Sequence, residues 1–387
     1  MKKSVKTALY LILILMAAVS AFQGARNALR YSQDFQYDAA LLLRSGINPY
    51  LESLEPAGAA ETGPAADFFR IFEEAGAPQK VEANQFPSLL MLLFPMTFLP
   101  FSAARVLWLL LNLCFTAAII LLLKQTFFKK ADGDVFNILM LLMIAGTPWR
   151  NQIGVGQHSL FSFCFFLLSV WLSDKDHKVL SGLALSVSYF KYTLTAPLAV
   201  YFLYKRKYKE FVISLIPHAL GTVAGAVMLK SSVTDMVILP LKVASALAGE
   251  GSIDIGALTG GAGWSLALTL IIMLGLIAAA FRFKEGEDNS IFALLILFSL
   301  IMTYHRIYDF FMLIPAAAGT WFGDKRVNHK LFLLMYGINV IYFFFLQRFL
   351  GEGESTVFVS ALLYYGYLIL YILSLVLREK REEGYAG

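Results

Sequence analysis

The chain has 387 residues, of which 58% are hydrophobic and 15% charged, with a formal net charge of +5. Soluble domains carry about 25% charged residues, so the composition excludes a soluble enzyme and points to a polytopic, all-α membrane protein. Lys and Arg fall in short clusters between apolar runs and form no continuous patch, which excludes a nucleic-acid surface and reads as a topology signal.

The first apolar segment, 7–24, follows Lys2, Lys3 and Lys6. Ala18-Val19-Ser20-Ala21 gives it some likeness to a cleaved signal peptide, but the many later spans make an uncleaved first transmembrane helix the better reading. Next comes Ser32-Gln33-Asp34-Phe35-Gln36-Tyr37-Asp38-Ala39-Ala40. Its helical character predicts Asp34 and Asp38 on one face at i,i+4 spacing, where like charges repel by a few tenths of a kcal/mol. A function that needs one of these carboxylates would account for their placement. The rest of the first extracytoplasmic loop, 25–85, holds a Pro/Gly/Ala stretch at 56–64 that reads as a linker. Beyond it, Ala65 to Ala75 is amphipathic, and both pieces are expected to lie flat at the interface.

Further apolar segments are 86–101, 102–123, 134–149, 158–173, 179–190, 192–204, 211–229, 263–281, 290–304, 307–322, 330–347 and 355–377. Basic loops at Lys124–Lys130, Lys175–Lys178, Lys205–Lys209, Arg282–Lys284, Lys325–Lys330 and Arg378–Arg381 place these connections, and both termini, in the cytoplasm. That topology needs 86–123 to cross once in net terms, so Phe86 to Pro100 is expected to be re-entrant or interfacial. It gives one bundle over 1–387 of about 12 spans, within a range of about 11–13. A second long extracytoplasmic loop, 230–262, runs into a Gly-rich stretch from Gly256 to Gly263; no strand precedes it, so a mobile loop is favoured over a dinucleotide site. Cys114 and Cys164 lie in apolar segments and read as small core residues. No His/Cys/Asp cluster offers an all-protein metal site, and no metal or other cofactor is expected.

Ionisable residues at membrane depth are costly and mark functional sites. On this topology Asp34, Asp38, Arg44, Arg150, Asn151, Gln157, Lys191, His305, Arg306 and Asp309 face one extracytoplasmic surface. Lys191 sits at the tip of a tight apolar hairpin, where it either snorkels or binds an anion. His305 beside Arg306 either has a structural role or contacts a phosphate. Arg44 either joins the site or snorkels, and Asn151 and Gln157 either bind a polyol or satisfy their own backbone. Trp149 and Tyr50 suit an interfacial belt.

Asp34, Phe35, Tyr37 and Ala40, followed by Gly46-Ile47-Asn48-Pro49-Tyr50, resemble the first-loop signature of GT-C membrane glycosyltransferases. The order of later motifs is similar to glycosyltransferase family 87, which includes bacterial polyprenyl-phosphate-mannose-dependent mannosyltransferases. These motifs are Phe86-Pro87-Ser88-Leu89 with Pro95, Gly156-Gln157-His158-Ser159, Gly182 with Lys191 and Pro197, and His305 with Tyr308. The resemblance covers residues 7–320. Ser88 stands where the family often has a second Pro, and the insertion 52–83 is longer and more acidic than the family pattern.

The resemblance implies a GT-C bundle in a bacterial inner membrane. It further implies an inverting transfer from a polyprenyl-phosphate sugar to a hydroxyl of a lipid or glycan acceptor, on the extracytoplasmic side. Asp34 would be the base, ahead of Asp38, because it occupies the motif position. Lys191, His305 and Arg306 would bind the donor phosphate, with Asp38, Arg44, Tyr37, Arg150, Asn151, Gln157 and Tyr308 as further substrate contacts. A positioned carboxylate contributes about 10²- to 10⁴-fold, and cations stabilise the departing phosphate. No second acid is needed, unlike glycosidases with their paired carboxylates. The competing reading is a transporter or flippase of a lipid-linked substrate, which predicts pseudosymmetric repeats that the hydropathy lacks. A non-catalytic assembly partner would instead tolerate loss of Asp34.

Overall fold

The computed structural model describes residues 3–54, 64–78, 81–247, 262–282, 288–322, 337–346, 349 and 366. Nearly all of the expected span 355–377, the first part (330–336) of the expected span 330–347, the basic loops at 325–330 and 378–381, most of the 56–64 linker and most of the 256–263 glycine run lie outside these residues.

Among the described residues all regular structure is helical. In chain order, α1 is Lys3–Tyr31, α2 Tyr37–Arg44, α3 Pro49–Leu54, α4 Pro64–Ala75 and α5 Pro87–Met91. A 3₁₀ turn, Phe94–Phe98, leads to α6, Phe101–Gln125, followed by α7, Gly133–Ala145, α8, Thr147–Val155, and α9, Ser159–Asp174. Then come α10, Lys178–Ser188, a 3₁₀ turn Tyr189–Lys191, α11, Tyr192–Tyr204, α12, Tyr208–Met228, and α13, Val233–Leu247. α14, Ala262–Arg282, α15, Asp288–Met302, a 3₁₀ turn Ile307–Met312 and α16, Leu313–Phe322, follow.

Three of these helices, α1, α6 and α12, are long and apolar enough to cross a membrane alone. A fourth crossing results if α8 and α9, which bend by 107° at their junction, form one broken span. Apart from α14, which has 21 residues, the other apolar helices are shorter, so the count of about 12 spans goes beyond what these residues display. Prolines and polar breaks explain the shortness. Pro87 and Pro95 head a five-residue helix and a five-residue 3₁₀ turn, neither of which spans. Gly146 is extended (φ −75°, ψ 150°) and ends α7, while Pro148 starts α8 without losing a needed N–H.

Three sequence expectations change here. Residues 32–40 are not one helix: α1 ends at Tyr31, and Gln36 adopts a left-handed backbone (φ 61°) before α2 begins. Asp34 therefore sits on a turn and shares no helix face with Asp38. Second, α2 is packed inside the protein and presents no apolar face to its surface. Its residues 37–43 are buried, because Ala39-Ala40-Leu41-Leu42-Leu43 is apolar all round. Third, 147–155 and 233–247, expected as a loop or the end of another segment, are helices; Arg150, Asn151 and Gly154 are helical, and the turn falls at 156–158 with Gly156 in its left-handed position.

The first-loop helices join a buried cluster containing Phe35, Tyr37, Tyr50, Leu89, Leu90, Phe101, Trp108 and Phe190. Phe35 stacks on Phe101 and Trp108 at centroid distances of 5.6 and 5.9 Å. Tyr50 is wholly buried in this cluster and Trp149 in the main core, so neither serves as an interfacial belt residue. The amphipathic Ala65–Ala75 segment is helical as expected, and its Phe72 is buried against Leu42.

α1 packs against α6, α7 and α8. Gly24 and Gly154 let α1 and α8 approach closely: a Cβ at Gly24 would lie 3.2 Å from the Arg150 carbonyl, and one at Gly154 would lie 3.1 Å from Asn27 Cβ. Such small-residue seams are how membrane helices maximise van der Waals contact. α10 packs on α9 and α12, whereas α11 packs on α14 and α15. α11 also touches α9 and α12, so the 3₁₀ turn at Lys191 lies between two helices that share these neighbours while α11 alone reaches α14 and α15.

Candidate active site

Four breaks in helical structure meet at one place: the Ser32–Gln36 turn, the α8–α9 junction, the Lys191 turn and the segment 303–312. Helix ends leave unpaired backbone groups, and these groups and their neighbours supply the polar chemistry.

The Asp34 turn is fixed from both sides. Its N–H donates to the Val155 carbonyl at 3.2 Å. Gln157 Nε2 donates to Asp34 Oδ2 at 3.0 Å, and Gln152 Nε2 in turn donates to the Gln157 carbonyl at 2.6 Å. Arg105, on α6, caps the end of α1 by donating to the Leu29 and Ser32 carbonyls, each at 3.1 Å. Gly156 has φ +76°, and a Cβ there would lie 1.9 Å from Ser32 Oγ. Its carbonyl accepts from Trp108 Nε1 at 2.7 Å. Only glycine fits, since both the left-handed backbone and the contact exclude a side chain. The carboxylate of Asp34 is half-buried and interacts electrostatically with Lys191, Arg306 and Tyr308.

The second part of the site centres on Asp309, which is 0% exposed. Lys191 Nζ donates to its two oxygens at 2.6 and 2.8 Å. His305 Nδ1 lies 2.7 Å from Asp309 Oδ2, and the Ser159 hydroxyl donates to Asp309 Oδ1. Lys191 Nζ also reaches Ser159 Oγ at 2.9 Å and lies 4.7 Å from the centre of the Tyr308 ring. Three donors on one carboxylate satisfy the cost of burying its charge. His305 Nε2 is 2.8 Å from Thr303 Oγ1, which is itself 2.8 Å from the Thr193 carbonyl. Lys191 does not snorkel: its charge is paired inside the protein.

Arg306 differs from Lys191. It is exposed, donates from Nε to the Tyr304 hydroxyl at 2.6 Å, and forms no close ion pair with a carboxylate among the described residues, Asp34 acting on it only electrostatically. The remaining candidates point elsewhere. Arg44 donates to the Thr97 carbonyl at 2.8 Å and covers the Phe98 ring at 4.4 Å. Tyr37 donates to the Leu99 carbonyl at 2.7 Å, and Arg150 to Gln23 Oε1 at 3.0 Å. Those bonds tie α2 to the Phe94–Phe98 turn and α8 to α1. Asn151 is half-buried on α8 and makes no side-chain hydrogen bond among the described residues.

Asp38 lies outside the spans, on α2, and is buried at 8% exposure. Burial pushes its carboxyl up to about 7; backbone N–H groups of Asp38 and Ala39 oppose this, and the charges of Glu82 and Asp34 add to it. Among the described residues no group of three or more His, Cys, Asp or Glu side chains converges as a metal ion would require.

Sequence reasoning had placed Asp309 on the same surface without giving it a part, and it assigned no role to Ser159, Gln152 or Arg105. The spacing of His305 and Asp309, four residues apart, was the available signal for Asp309. Ser159 follows the quoted Gly156-Gln157-His158 motif directly, but the 107° bend that turns it inward is tertiary.

A family model described as glycosyltransferase family 87 matches residues 87–304, more than half of the chain. The matched region contains Gln157, Ser159 and Lys191, ends one residue before His305, and leaves Asp34 outside. No curated protein and no solved structure matches the chain.

Proposed function

Because the chain belongs to glycosyltransferase family 87, we propose that it transfers a hexose, with mannose the first candidate, from a polyprenyl-phosphate donor to a lipid or glycan hydroxyl. The enzyme is read as a GT-C bundle of about 12 spans in a bacterial inner membrane, with its site on the extracytoplasmic side. The observation that carries this reading is the position of Asp34: a half-buried carboxylate held by Gln157 and in electrostatic range of Lys191 and Arg306. The reading puts base and cations on opposite faces of the anomeric carbon, as an in-line displacement needs.

In the proposed step the acceptor oxygen forms a bond to the anomeric carbon as its proton passes to Asp34. The bond from that carbon to the phosphate oxygen breaks on the opposite face, and polyprenyl phosphate leaves with the electron pair. Inversion follows from the single displacement. A hydroxyl is a weak nucleophile, so the positioned carboxylate supplies about 10²- to 10⁴-fold. The growing phosphate charge is met by Arg306 directly. Lys191 and His305, shared with Asp309, contribute as oriented N–H donors whose geometry is set before the reaction.

The test is incubation of the purified protein with a panel of polyprenyl-phosphate sugars and candidate acceptors, measuring release of polyprenyl phosphate. Release with one or more donors supports the reading; release with none, when a nucleotide sugar is used instead, replaces the donor class.

A further inference from the structure

Three helices lead from the candidate active site to the other end of the bundle. α6 runs from Arg105, which caps α1 beside the Asp34 turn, to Gln125. That stretch is about 30 Å long, the thickness of a hydrocarbon core. α9 begins at Ser159 and ends at Asp174, and α11 begins beside Lys191 and ends at Tyr204. Where these far ends meet the start of α15 there is a cavity of about 290 Å³. Lys129, Lys130, Asp174 and Asp288 line it together with the buried rings of Phe127 and Tyr201. Phe127 stacks on Phe292 at 3.6 Å and meets Tyr201 edge-on at 5.6 Å, so the apolar part of the lining is fixed. Small-molecule sites span about 300–1,000 Å³, so this cavity suits a small polar group.

Most of its charges are already shared. Lys129 Nζ donates to Asp174 Oδ2 at 3.0 Å, and Lys205 Nζ donates to both Asp288 oxygens at 2.8 Å. One ammonium and one carboxylate oxygen are left over. Lys130 has no hydrogen-bond or ion-pair partner among the described residues, and Asp174 Oδ1 accepts from none of them. A carboxylate offers about four lone-pair sites, so Asp174 can take a second donor and keep Lys129. A purely basic pocket at a membrane surface takes an anionic lipid. Here two carboxylates oppose a lone anion, and two lysines oppose a lone cation. A ligand with one charge of each sign meets both free groups. Lys129 and Lys130 follow the end of a helix long and apolar enough to cross a membrane, which puts them at headgroup depth.

We propose that this cavity binds the headgroup of a phospholipid that carries a phosphate and a primary ammonium, with the phosphate on Lys130 and the ammonium on Asp174 Oδ1. It is a second site, on the membrane face opposite the candidate active site, and it does not depend on the glycosyltransferase reading. A ligand held between the α6–α7 connection and the end of α9 stabilises the folded protein by mass action.

The experiment titrates the full-length protein, stripped of lipid in detergent, with phosphatidylethanolamine, phosphatidylcholine and phosphatidylglycerol of identical acyl chains, and with free phosphoethanolamine. Native mass spectrometry counts bound lipid, and the thermal midpoint is followed in parallel. We expect phosphatidylethanolamine to bind about tenfold more tightly than phosphatidylcholine, whose quaternary ammonium has no N–H to donate. Lys130→Ala should weaken both zwitterionic lipids by a similar factor, and Asp174→Ala should bring phosphatidylethanolamine down to the level of phosphatidylcholine. Both side chains are exposed, so the lipid-free midpoints should stay close to wild type. Equal binding of the two zwitterionic lipids overturns the proposal, as does tighter binding of phosphatidylglycerol or a preference that survives in both variants. Free phosphoethanolamine that raises the midpoint as much as the lipid does assigns the cavity to a soluble ligand and overturns the lipid. If a variant does not fold, the wild-type lipid series alone decides.

Discussion

Lys191 and Asp309 form a buried ion pair, 2.6 and 2.8 Å from the ammonium to the two carboxylate oxygens, across 118 residues of chain. It clamps the turn between α10 and α11 onto the segment that follows α15. Removing one partner of a buried pair leaves an uncompensated charge and costs about 3–5 kcal/mol. Asp309→Ala and Lys191→Met should each destabilise the protein by about that much. The double variant should cost less than the sum, with a coupling energy of about 0.5–3 kcal/mol. Unfolding of the four proteins in one detergent measures this; additive losses would show that the pair is not coupled.

Arg306 separates function from folding. It is exposed and forms no close ion pair with a carboxylate among the described residues, so Arg306→Gln should change stability by no more than about 0.5 kcal/mol. Loss of a charged hydrogen bond to phosphate should lower kcat/KM for the donor by roughly 10- to 100-fold. Steady-state kinetics at varied donor concentration checks it, and unchanged donor dependence would remove Arg306 from the site. Lys191→Ala should also weaken donor use, but its stability loss must be subtracted first.

Gly156→Ala places a methyl group 1.9 Å from Ser32 Oγ at a backbone with φ +76°. The left-handed conformation alone costs an L-residue about 1–2 kcal/mol. The clash adds to this and should push the Asp34 turn away from Gln157. We expect a lower thermal midpoint together with a loss of turnover larger than the unfolded fraction explains.

Asp38 gives a pH dependence of stability. Its folded carboxyl is raised from 3.8 to about 7 by burial, so the folded state holds a proton that the unfolded chain has released. The stabilising contribution is present in full below about pH 4 and is lost as pH rises through about 7. Asp38→Asn should flatten the change in thermal midpoint between pH 5 and pH 8 and raise stability at pH 8. An identical pH profile in wild type and variant would contradict this assignment.

Much of the architecture was legible in the residues. Apolar runs gave the helical membrane class, and the prolines around Phe86–Pro100 marked a segment too broken to span. Asp34, Gln157, Lys191, His305 and Arg306 were all marked as polar groups that an apolar chain keeps at membrane depth. The errors have physical causes. Periodicity read Asp34 and Asp38 as one helix because nothing in a residue pattern announces the left-handed Gln36 between them. Arg44 and Tyr37 were drawn to the site by sequence proximity to Asp34, whereas their partners, the carbonyls of Thr97 and Leu99, lie more than 50 residues away. Asp309 was underrated because its importance depends on Lys191 and Ser159 converging on it, which only the bends at both turns bring about.

The account turns most directly on Asp34. The measurement is release of polyprenyl phosphate by Asp34→Asn beside wild type, at matched amounts of folded protein. Asparagine keeps the shape and can still pair with Gln157, but it cannot take a proton. We expect turnover to fall by about 10²- to 10⁴-fold with the thermal midpoint nearly unchanged. Retained turnover in Asp34→Asn would contradict the assignment of Asp34 as the base.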